Sequence, residues 1–223
     1  MTVCAVVAAW NEQDTVAAVV AGVRPHAETV IVVDDGSVDA TAGRAAEAGA
    51  VVIRHDRNRG QGGAGRTGLA RALASGCAHV LRIDADLQHD PSDVPRLIET
   101  AARENVDLVI AERAFALGSM PTARYYSNRI GSRILSGLLG TTLDDSQSGF
   151  RLVRASSLRP LRLTASGYEI ETEMLIKLLR AGATLARLTI PARYVGSRSR
   201  LRSFRDTFRT CMLALWYRYF GCR

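Results

Sequence analysis

The sequence predicts an α/β protein built on one open, mostly parallel sheet that is flanked by helices. Short continuous apolar runs, rich in β-branched residues, have the character of strands buried on both faces. Segments of helical length alternate with these runs, and such alternation builds an open parallel sheet. With 223 residues, of which 47% are hydrophobic, the chain is long enough for one well-packed core. We therefore expect one domain over residues 1–200 and a basic amphipathic helix over residues 201–223.

Each predicted element follows from its own stretch of sequence. Apolar runs predict strands at residues 3–9, 30–33, 50–53, 79–83 and 106–111. The segments between them have helical length, at residues 15–23, 39–48, 64–75 and 92–104. Beyond Pro121 the pattern predicts a helix at 123–139, a turn-rich stretch to Gly149, a helix at 171–181 and a strand at 184–190.

The positive charge of the chain is concentrated towards its end. The net charge is +7, and residues 193–223 hold eight arginines and one acid. A protein that reads nucleic acid carries its basic footprint beside the reading element, so we expect no nucleic acid as a specific partner. A tail of this charge suits attraction to anionic lipid or phosphate instead. No run approaches the ~20 apolar residues that span a bilayer.

The four cysteines are scattered and form no Cys-x-x-Cys pair: Cys4, Cys77, Cys211 and Cys222. This spacing argues against a thiolate metal site or a disulfide framework, and it suits the reducing cytosol. We therefore expect a cytoplasmic protein.

Polar residues follow three of the predicted strands. The first strand is followed by Trp10-Asn11-Glu12, the second by Asp34-Asp35-Gly36-Ser37 and the fourth by Asp84-Ala85-Asp86-Leu87-Gln88. Ligands of open α/β sheets bind outside the carboxyl ends of the strands. The sequence therefore predicts one binding site built from these three strand ends.

Asp84 and Asp86 form a candidate metal site at the end of a buried strand. Hard cations such as Mg²⁺ and Mn²⁺ bind carboxylate oxygens and keep places for phosphate oxygens. One carboxylate can bind directly and the other through water, while Gln88 can add a neutral oxygen. A pair of solvated turn acids remains the alternative interpretation.

Asp34 and Asp35 are candidates for nucleotide binding, since an acid here can accept hydrogen bonds from base N–H groups or ribose hydroxyls. Gly36 permits a tight turn, and Ser37 can cap the following helix. Simple capping is the alternative interpretation, and Asp39 would be an equally good cap. We expect one acid to bind nucleotide and the others to cap.

The stretch from Gly60 to Gly65 matches GxGxxG literally, and Arg66 stands where a P-loop has lysine. In both motifs the glycines follow a strand directly. Here residues 55–59 intervene, which disfavours a dinucleotide-binding site and a P-loop. We expect the glycines to let a helix pack closely or to form a loop beside the ligand.

Five strings in this order carry a family resemblance: Trp10-Asn11-Glu12, Asp34-Asp35-Gly36-Ser37, Asn58-Arg59-Gly60, Asp84-Ala85-Asp86-Leu87-Gln88-His89 and Ser148-Gly149-Phe150-Arg151. With them the chain resembles family 2 glycosyltransferases, and within that family the dolichol-phosphate mannose synthase or polyprenyl-phosphate glycosyltransferase branch. The resemblance implies a GT-A fold with a single Rossmann-like sheet and a GDP- or UDP-sugar donor. It also implies a Mg²⁺ or Mn²⁺ ion and inversion at the anomeric carbon.

The resemblance implies roles for single residues at matching positions. The nucleotide-sugar site would comprise Ala9, Trp10, Glu12, Asp35, Asp84, Ala85, Arg113 and Arg200. Asp84, Asp86 and Gln88 would hold the metal and the diphosphate. The catalytic candidates are Asp86, Asp145 and Arg151, and the residues expected to face donor or acceptor phosphates are Arg129, Arg151, Ser199 and Arg200. The string Ala8-Ala9-Trp10 departs from the Pro-x-Tyr of the family, which leaves the nucleotide base open.

The acceptor depends on whether the reaction needs a general base. A hydroxyl acceptor needs one, whereas a lipid phosphate is already an anion. The string from Asp145 to Arg151 resembles the lipid-phosphate branch, which implies a polyprenyl phosphate acceptor, although Asp144 or Asp145 stays open as a base. Three alternatives remain: a soluble glycosyltransferase acting on a hydroxyl, a nucleotide-binding protein without turnover, and a nucleotidyltransferase.

Apolar residues recur at helical spacing in the tail: Phe204, Phe208, Cys211, Met212, Leu215 and Tyr219. Arginines lie between them, as in helices that rest at a membrane interface. A helix packed on the core with a solvated basic face is the alternative interpretation. In the interfacial interpretation the protein is peripheral on the cytoplasmic face of a membrane.

Overall fold

In a computed structural model, which describes residues 1–114, 122–192, 212–213 and 216–217, seven strands form one mixed sheet. They are β1 (Val3–Ala9), β2 (Thr29–Asp34), β3 (Val51–Arg54), β4 (His79–Asp84), β5 (Leu108–Ala114), β6 (Arg151–Arg154) and β7 (Leu185–Pro191). Their order across the sheet is β3-β2-β1-β4-β6-β5-β7. Neighbouring strands are parallel except at β6, which runs antiparallel to β4 and β5. The prediction of a mostly parallel sheet is confirmed.

Helices cover both faces of the sheet. Within the described ranges the α-helices are α1 (Val16–Val23), α2 (Thr41–Glu47), α3 (Gly60–Ala74), α4 (Val94–Glu104), α5 (Thr122–Leu139), α6 (Ala155–Leu158) and α7 (Glu169–Arg180). Side chains of β1 alternate between two apolar layers. Val7 lies in one layer with Val19 and Leu97, and Val6 lies in the other with Leu69. Because β1 is buried on both sides, its apolar run is continuous.

Most predicted elements agree with the structure to within about three residues. The four-residue helix α6 was not predicted, and α3 and β6 differ for physical reasons. α3 begins at Gly60 rather than at residue 64, because Gly60 and Gly62 let its first turn pass against the backbone at Ser166. β6 was not predicted, since it has only four residues and arginine stands at both of its ends.

Gly68 lies where α3 crosses β1, and a Cβ there would overlap a methyl of Val6 and stand 3.2 Å from a methyl of Val33. Gly68→Ala is therefore expected to lower the free energy of unfolding by about 1–3 kcal/mol, as overpacking does. The matched control is Gly43→Ala in α2, where a Cβ meets nothing within 4 Å. There the better helix propensity should raise the free energy of unfolding by up to about 1 kcal/mol. Urea unfolding measures both variants, and effects of the same sign would contradict the close packing of α3.

The cysteines differ from the expectation drawn from their spacing. Cys4 in β1 and Cys77, just before β4, are joined as a disulfide, with Cα atoms 5.8 Å apart. Their sequence separation of 73 residues hides this contact, which exists because β1 and β4 are neighbours in the sheet. Cys211 and Cys222 lie outside the described residues.

The structure describes four residues of the C-terminal segment, of which two pack on the core and two are exposed. Leu213 and Tyr217 pack on the apolar layer that includes α7, and the Tyr217 hydroxyl donates to Glu173 Oε1 at 3.1 Å. Met212 and Trp216 are 49% and 51% exposed. The rest of the predicted tail helix, including Phe204, Phe208, Cys211, Leu215 and Tyr219, lies outside the described residues. In the part of the chain described, no helix has the length and apolar character needed to cross a bilayer.

Candidate functional site

The carboxyl ends of β1, β2 and β4 lie side by side at one edge of the sheet. β1 stands between the other two, with Ala9 level with Asp34 and Ala8 level with Asp84. The three polar strings that follow these strands are therefore brought together. Ala9 and Ala85 are buried, whereas Trp10 is 40% exposed at this edge.

The loop after β1 is held in place by the segment that follows β2. The backbone N–H groups of Asn11 and Glu12 donate to Ser37 Oγ and Thr41 Oγ1, both at 2.8 Å. The Asn11 side chain accepts from Val38 N–H at 2.9 Å, and Asn11 has a φ of 51°, a conformation that asparagine tolerates. Ser37 therefore fixes the neighbouring loop instead of capping α2.

Asp34 and Asp35 are both buried and both bind the protein's own chain. Asp34 accepts from Ser37 N–H at 3.0 Å and pairs with Arg54 at 3.2 Å. Asp35 Oδ1 lies 2.6 Å from His55 Nδ1, and its carboxylate accepts from the N–H groups of Arg59 and Gly60 at 2.9 and 2.8 Å. Asp35 thus shapes the start of α3, and any contact of Asp35 with a nucleoside has to coexist with these bonds.

Asp84 and Asp86 lie at the end of β4, partly exposed at the same edge. Asp84 Oδ1 accepts from Gln61 Nε2 at 2.8 Å, a partner that the sequence motifs did not reveal. A Cβ at Gly149 would stand 2.7 Å from Asp84 Oδ2, so only glycine lets the turn before β6 approach this carboxylate. The glycine of the Ser-Gly-Phe-Arg string therefore belongs to the same site.

The two carboxylates repel each other. Burial, and then the charge of Asp84, raise the pKa of Asp86 to about 6, and Glu12 adds to the effect. Among the described residues no three His, Cys, Asp or Glu side chains group closely enough to hold a metal alone. Two carboxylates beside the nearly buried Gln88 nevertheless fit a Mg²⁺ or Mn²⁺ ion that takes its other ligands from phosphate and water.

Asp145 is fully buried beside Arg113 at the end of β5. Arg113 Nε and Nη2 lie 2.6 and 3.2 Å from its carboxylate, and Asn128 Nδ2 donates to it at 3.1 Å. Burial acts to raise the pKa of Asp145, but the Arg113 guanidinium and these hydrogen bonds lower it on balance. A carboxylate held in an ion pair in this way is poorly suited to accept a proton.

Arg151 lies beneath the site and not at its open edge. Its side chain is 0% exposed, and its three guanidinium nitrogens donate to the carbonyls of Ser148, Glu171 and Ser146 at 2.7 Å each. The Glu171 carboxylate lies 3.6 Å from Arg151 and 2.6 Å from Arg82. In this arrangement Arg151 holds the turn that brings Gly149 to Asp84.

A cavity of about 450 Å³ lies between α5 and the ends of β5 and β7. It is lined by Glu112, Arg113, Ala114, Tyr125, Arg129, Ser132, Arg133, Ser136, Thr142, Leu143, Asp144 and Thr189. Arg129 donates to the Tyr125 hydroxyl at 3.2 Å, and the Asp144 side chain is 81% exposed. Arg133 and Tyr125 were missed by sequence reasoning because no motif contains them. Ser199 and Arg200 lie outside the described residues.

Comparison with known proteins agrees with this fold. The model of glycosyl transferase family 2 matches residues 4–162. Undecaprenyl-phosphate mannosyltransferase of Micrococcus luteus is 33% identical over 204 residues, which cover 85% of this chain and 83% of that protein. UDP-N-acetylglucosamine–dolichyl-phosphate N-acetylglucosaminyltransferase of Methanococcus voltae is 31% identical over 195 residues, covering 77% of each.

Solved structures show the same fold. Glucosyl-3-phosphoglycerate synthase from Mycobacterium tuberculosis, in complex with Mn²⁺, UDP-glucose and phosphoglyceric acid, aligns with a TM-score of 0.74 at 26% identity, over 97% of this chain and 79% of that one. Its complex with Mg²⁺ and UDP gives a TM-score of 0.77 at 26% identity, over 100% of this chain and 80% of that one. The fold and the carboxylate edge thus define a GT-A glycosyltransferase. The chain belongs to glycosyltransferase family 2.

Proposed function

We propose that this glycosyltransferase moves a sugar from a nucleotide-sugar donor to a polyprenyl phosphate, with inversion at the anomeric carbon. The observation that carries the proposal is the cavity lined by Arg113, Arg129 and Arg133, near which the buried acid Asp145 is already paired with Arg113. Such a cavity can hold an anionic acceptor that needs no base. The named relatives from Micrococcus and Methanococcus support a lipid-phosphate acceptor.

The donor would lie across the edge formed by β1, β2 and β4. The 40% exposed ring of Trp10 is suited to stack on the base, and Glu12 follows two residues later in the same loop. Asp84, Asp86 and Gln88 would hold Mg²⁺ or Mn²⁺ against the donor diphosphate. When bound, such an ion stabilises the charge that develops on the leaving nucleoside diphosphate.

The acceptor phosphate would enter the cavity beneath α5. Arg129 and Arg133 supply positive charge there and would align a phosphate oxygen with the anomeric carbon. Attack from the side opposite the leaving diphosphate inverts that carbon in one step. Arg113 would lie between the two substrates, since it lines the cavity and its charge also acts on Asp86. A polyprenyl acceptor places the enzyme peripherally at a membrane.

The test is a donor panel of GDP-mannose, UDP-glucose and UDP-N-acetylglucosamine, each with Mn²⁺ or Mg²⁺. Release of nucleoside diphosphate is followed with a short polyprenyl phosphate, with the matching polyprenol, and with neither. We expect one donor to react only when the phosphorylated lipid and the cation are both present. Release that the lipid phosphate does not change would contradict the proposed acceptor.

A hydroxyl acceptor is the second candidate, and two observations favour it. The solved homologue was crystallised with phosphoglyceric acid, and Asp144 is an exposed carboxylate on the same cavity. In this case Asp144 would be the general base. UDP-glucose turnover that requires 3-phosphoglycerate and is lost in Asp144→Asn would select this function over the first.

A further inference from the structure

The outer face of α5 carries a row of exposed apolar side chains. Tyr126, Ile130 and Ile134 are 52%, 54% and 36% exposed. They are spaced four residues apart, so they form one row along the helix that extends for ~12 Å. We call these three residues the α5 ridge.

The inner face of the same helix is partly polar. Asn128 and Ser132 are 6% and 2% exposed and are hydrogen-bonded to Asp145 and Ser146. A surface helix ordinarily buries its apolar residues and exposes its polar ones. α5 buries Leu135 in the core as a surface helix does, but it also buries an amide and a hydroxyl while exposing two isoleucines and a tyrosine. An exposed apolar row of this kind is typical of a helix whose outer face contacts another apolar phase.

The charge of α5 indicates what that phase is. Residues Thr122–Leu139 contain three arginines and no acid. Two of them, Arg129 and Arg133, stand next to ridge residues in the sequence and also line the cavity. Apolar side chains that have arginines and no acid beside them complement an anionic bilayer. The apolar side chains enter the outer part of the acyl-chain region, and the guanidinium groups remain among the lipid headgroups. A second copy of the chain would bring arginines against arginines.

We propose that the α5 ridge docks the protein on an anionic membrane surface, so that the cavity beneath α5 opens at the level of the lipid headgroups. The inference rests on the proposed function for the nature of the acceptor, and it adds the surface through which the enzyme meets the membrane. A lipid phosphate would then reach Arg129 and Arg133 without leaving the bilayer interface.

Co-sedimentation of the full chain with vesicles tests the ridge. The vesicles are phosphatidylcholine alone or phosphatidylcholine mixed with phosphatidylglycerol. The double variant Ile130→Asn/Ile134→Asn is expected to bind the mixed vesicles at least about tenfold more weakly than the unchanged protein, because two apolar side chains no longer enter the membrane. The matched control is Val51→Asn on the edge strand β3, which is 42% exposed and should bind as the unchanged protein does.

Three results would overturn the docking surface. The first is equal vesicle binding by the double variant and the unchanged protein. The second is equal binding of the unchanged protein to neutral and anionic vesicles. The third is an unchanged protein that is a dimer in solution and a double variant that is a monomer. Transfer to a short water-soluble prenyl phosphate should survive in the double variant. Absence of transfer by the unchanged protein would count against the proposed function, whereas the vesicle result decides the ridge independently.

Discussion

Asp86→Asn is expected to lower kcat/KM for sugar transfer at least about 10³-fold. The substitution removes a carboxylate that would hold the metal ion, and with it several kcal/mol of stabilisation of the charge on the leaving diphosphate. The same substitution is expected to stabilise the metal-free fold. The pKa of Asp86 is raised to about 6, so its ionised form is disfavoured in the folded protein. The ionised Asp86 carboxylate therefore lowers the free energy of unfolding. This loss grows as pH rises from about 4 to about 6 and is fully present at pH 7.

Removing that charge should raise the free energy of unfolding by about 1–3 kcal/mol at pH 7. Urea unfolding in EDTA measures this change, and donor turnover with Mn²⁺ measures the activity. The matched control is Glu99→Gln on α4, where the side chain is 74% exposed and both quantities should stay unchanged. An Asp86→Asn protein that is less stable, or that retains a tenth of the activity, would contradict the assignment of Asp86 to a charged ligand site.

Arg151→Met is expected to lower the free energy of unfolding by about 3–5 kcal/mol, a loss typical of breaking a buried, hydrogen-bonded ion pair. The substitution leaves the carbonyls of Ser146 and Ser148 without their buried donors and removes one of the two arginines beside Glu171. Because the free energy of unfolding of a domain is only about 5–15 kcal/mol, this substitution would remove a large part of it. Thermal and urea unfolding measure the change.

Arg154→Met provides the matched control on the same strand. Its side chain is 32% exposed and pairs with Asp107, so we expect a loss of only about 1 kcal/mol. Arg151→Lys keeps the charge, but its donors all lie on one nitrogen and cannot replace the three guanidinium nitrogens that bond separate carbonyls. The loss of stability in this variant should fall between those of the other two. If Arg151 contacts a ligand phosphate directly, Arg151→Met will instead lose activity with little change in stability.

The sheet was predictable from the sequence where strands are buried on both faces. β1 is a continuous apolar run, because neighbouring strands and helices on both sides exclude water from it, and β4 keeps a mostly apolar centre around the buried Arg82. β6 was not predictable, since its first residue is a buried arginine whose partner Glu171 lies 20 residues further on. A charge that is neutralised by a distant part of the chain has no local signature.

The site was predictable at its strand ends and not in its supporting contacts. Register across β1, β2 and β4 follows from the topology, so the polar strings after these strands had to meet. The pairing of Arg113 with Asp145 spans 32 residues and depends on how the chain folds back after α5. For the same reason the bonds of Asp35 to His55 and to the start of α3 were not predicted, and its contact with a nucleoside stays a prediction.

Mass spectrometry of the lipid tests the proposed reaction most directly. A short polyprenyl phosphate is incubated with the enzyme, Mn²⁺ and the donor that gives release, and the lipid is then extracted. The proposed reaction gives a lipid phosphate heavier by one sugar residue, in an amount equal to the nucleoside diphosphate released. An unmodified lipid, with free sugar accumulating in solution, would contradict it.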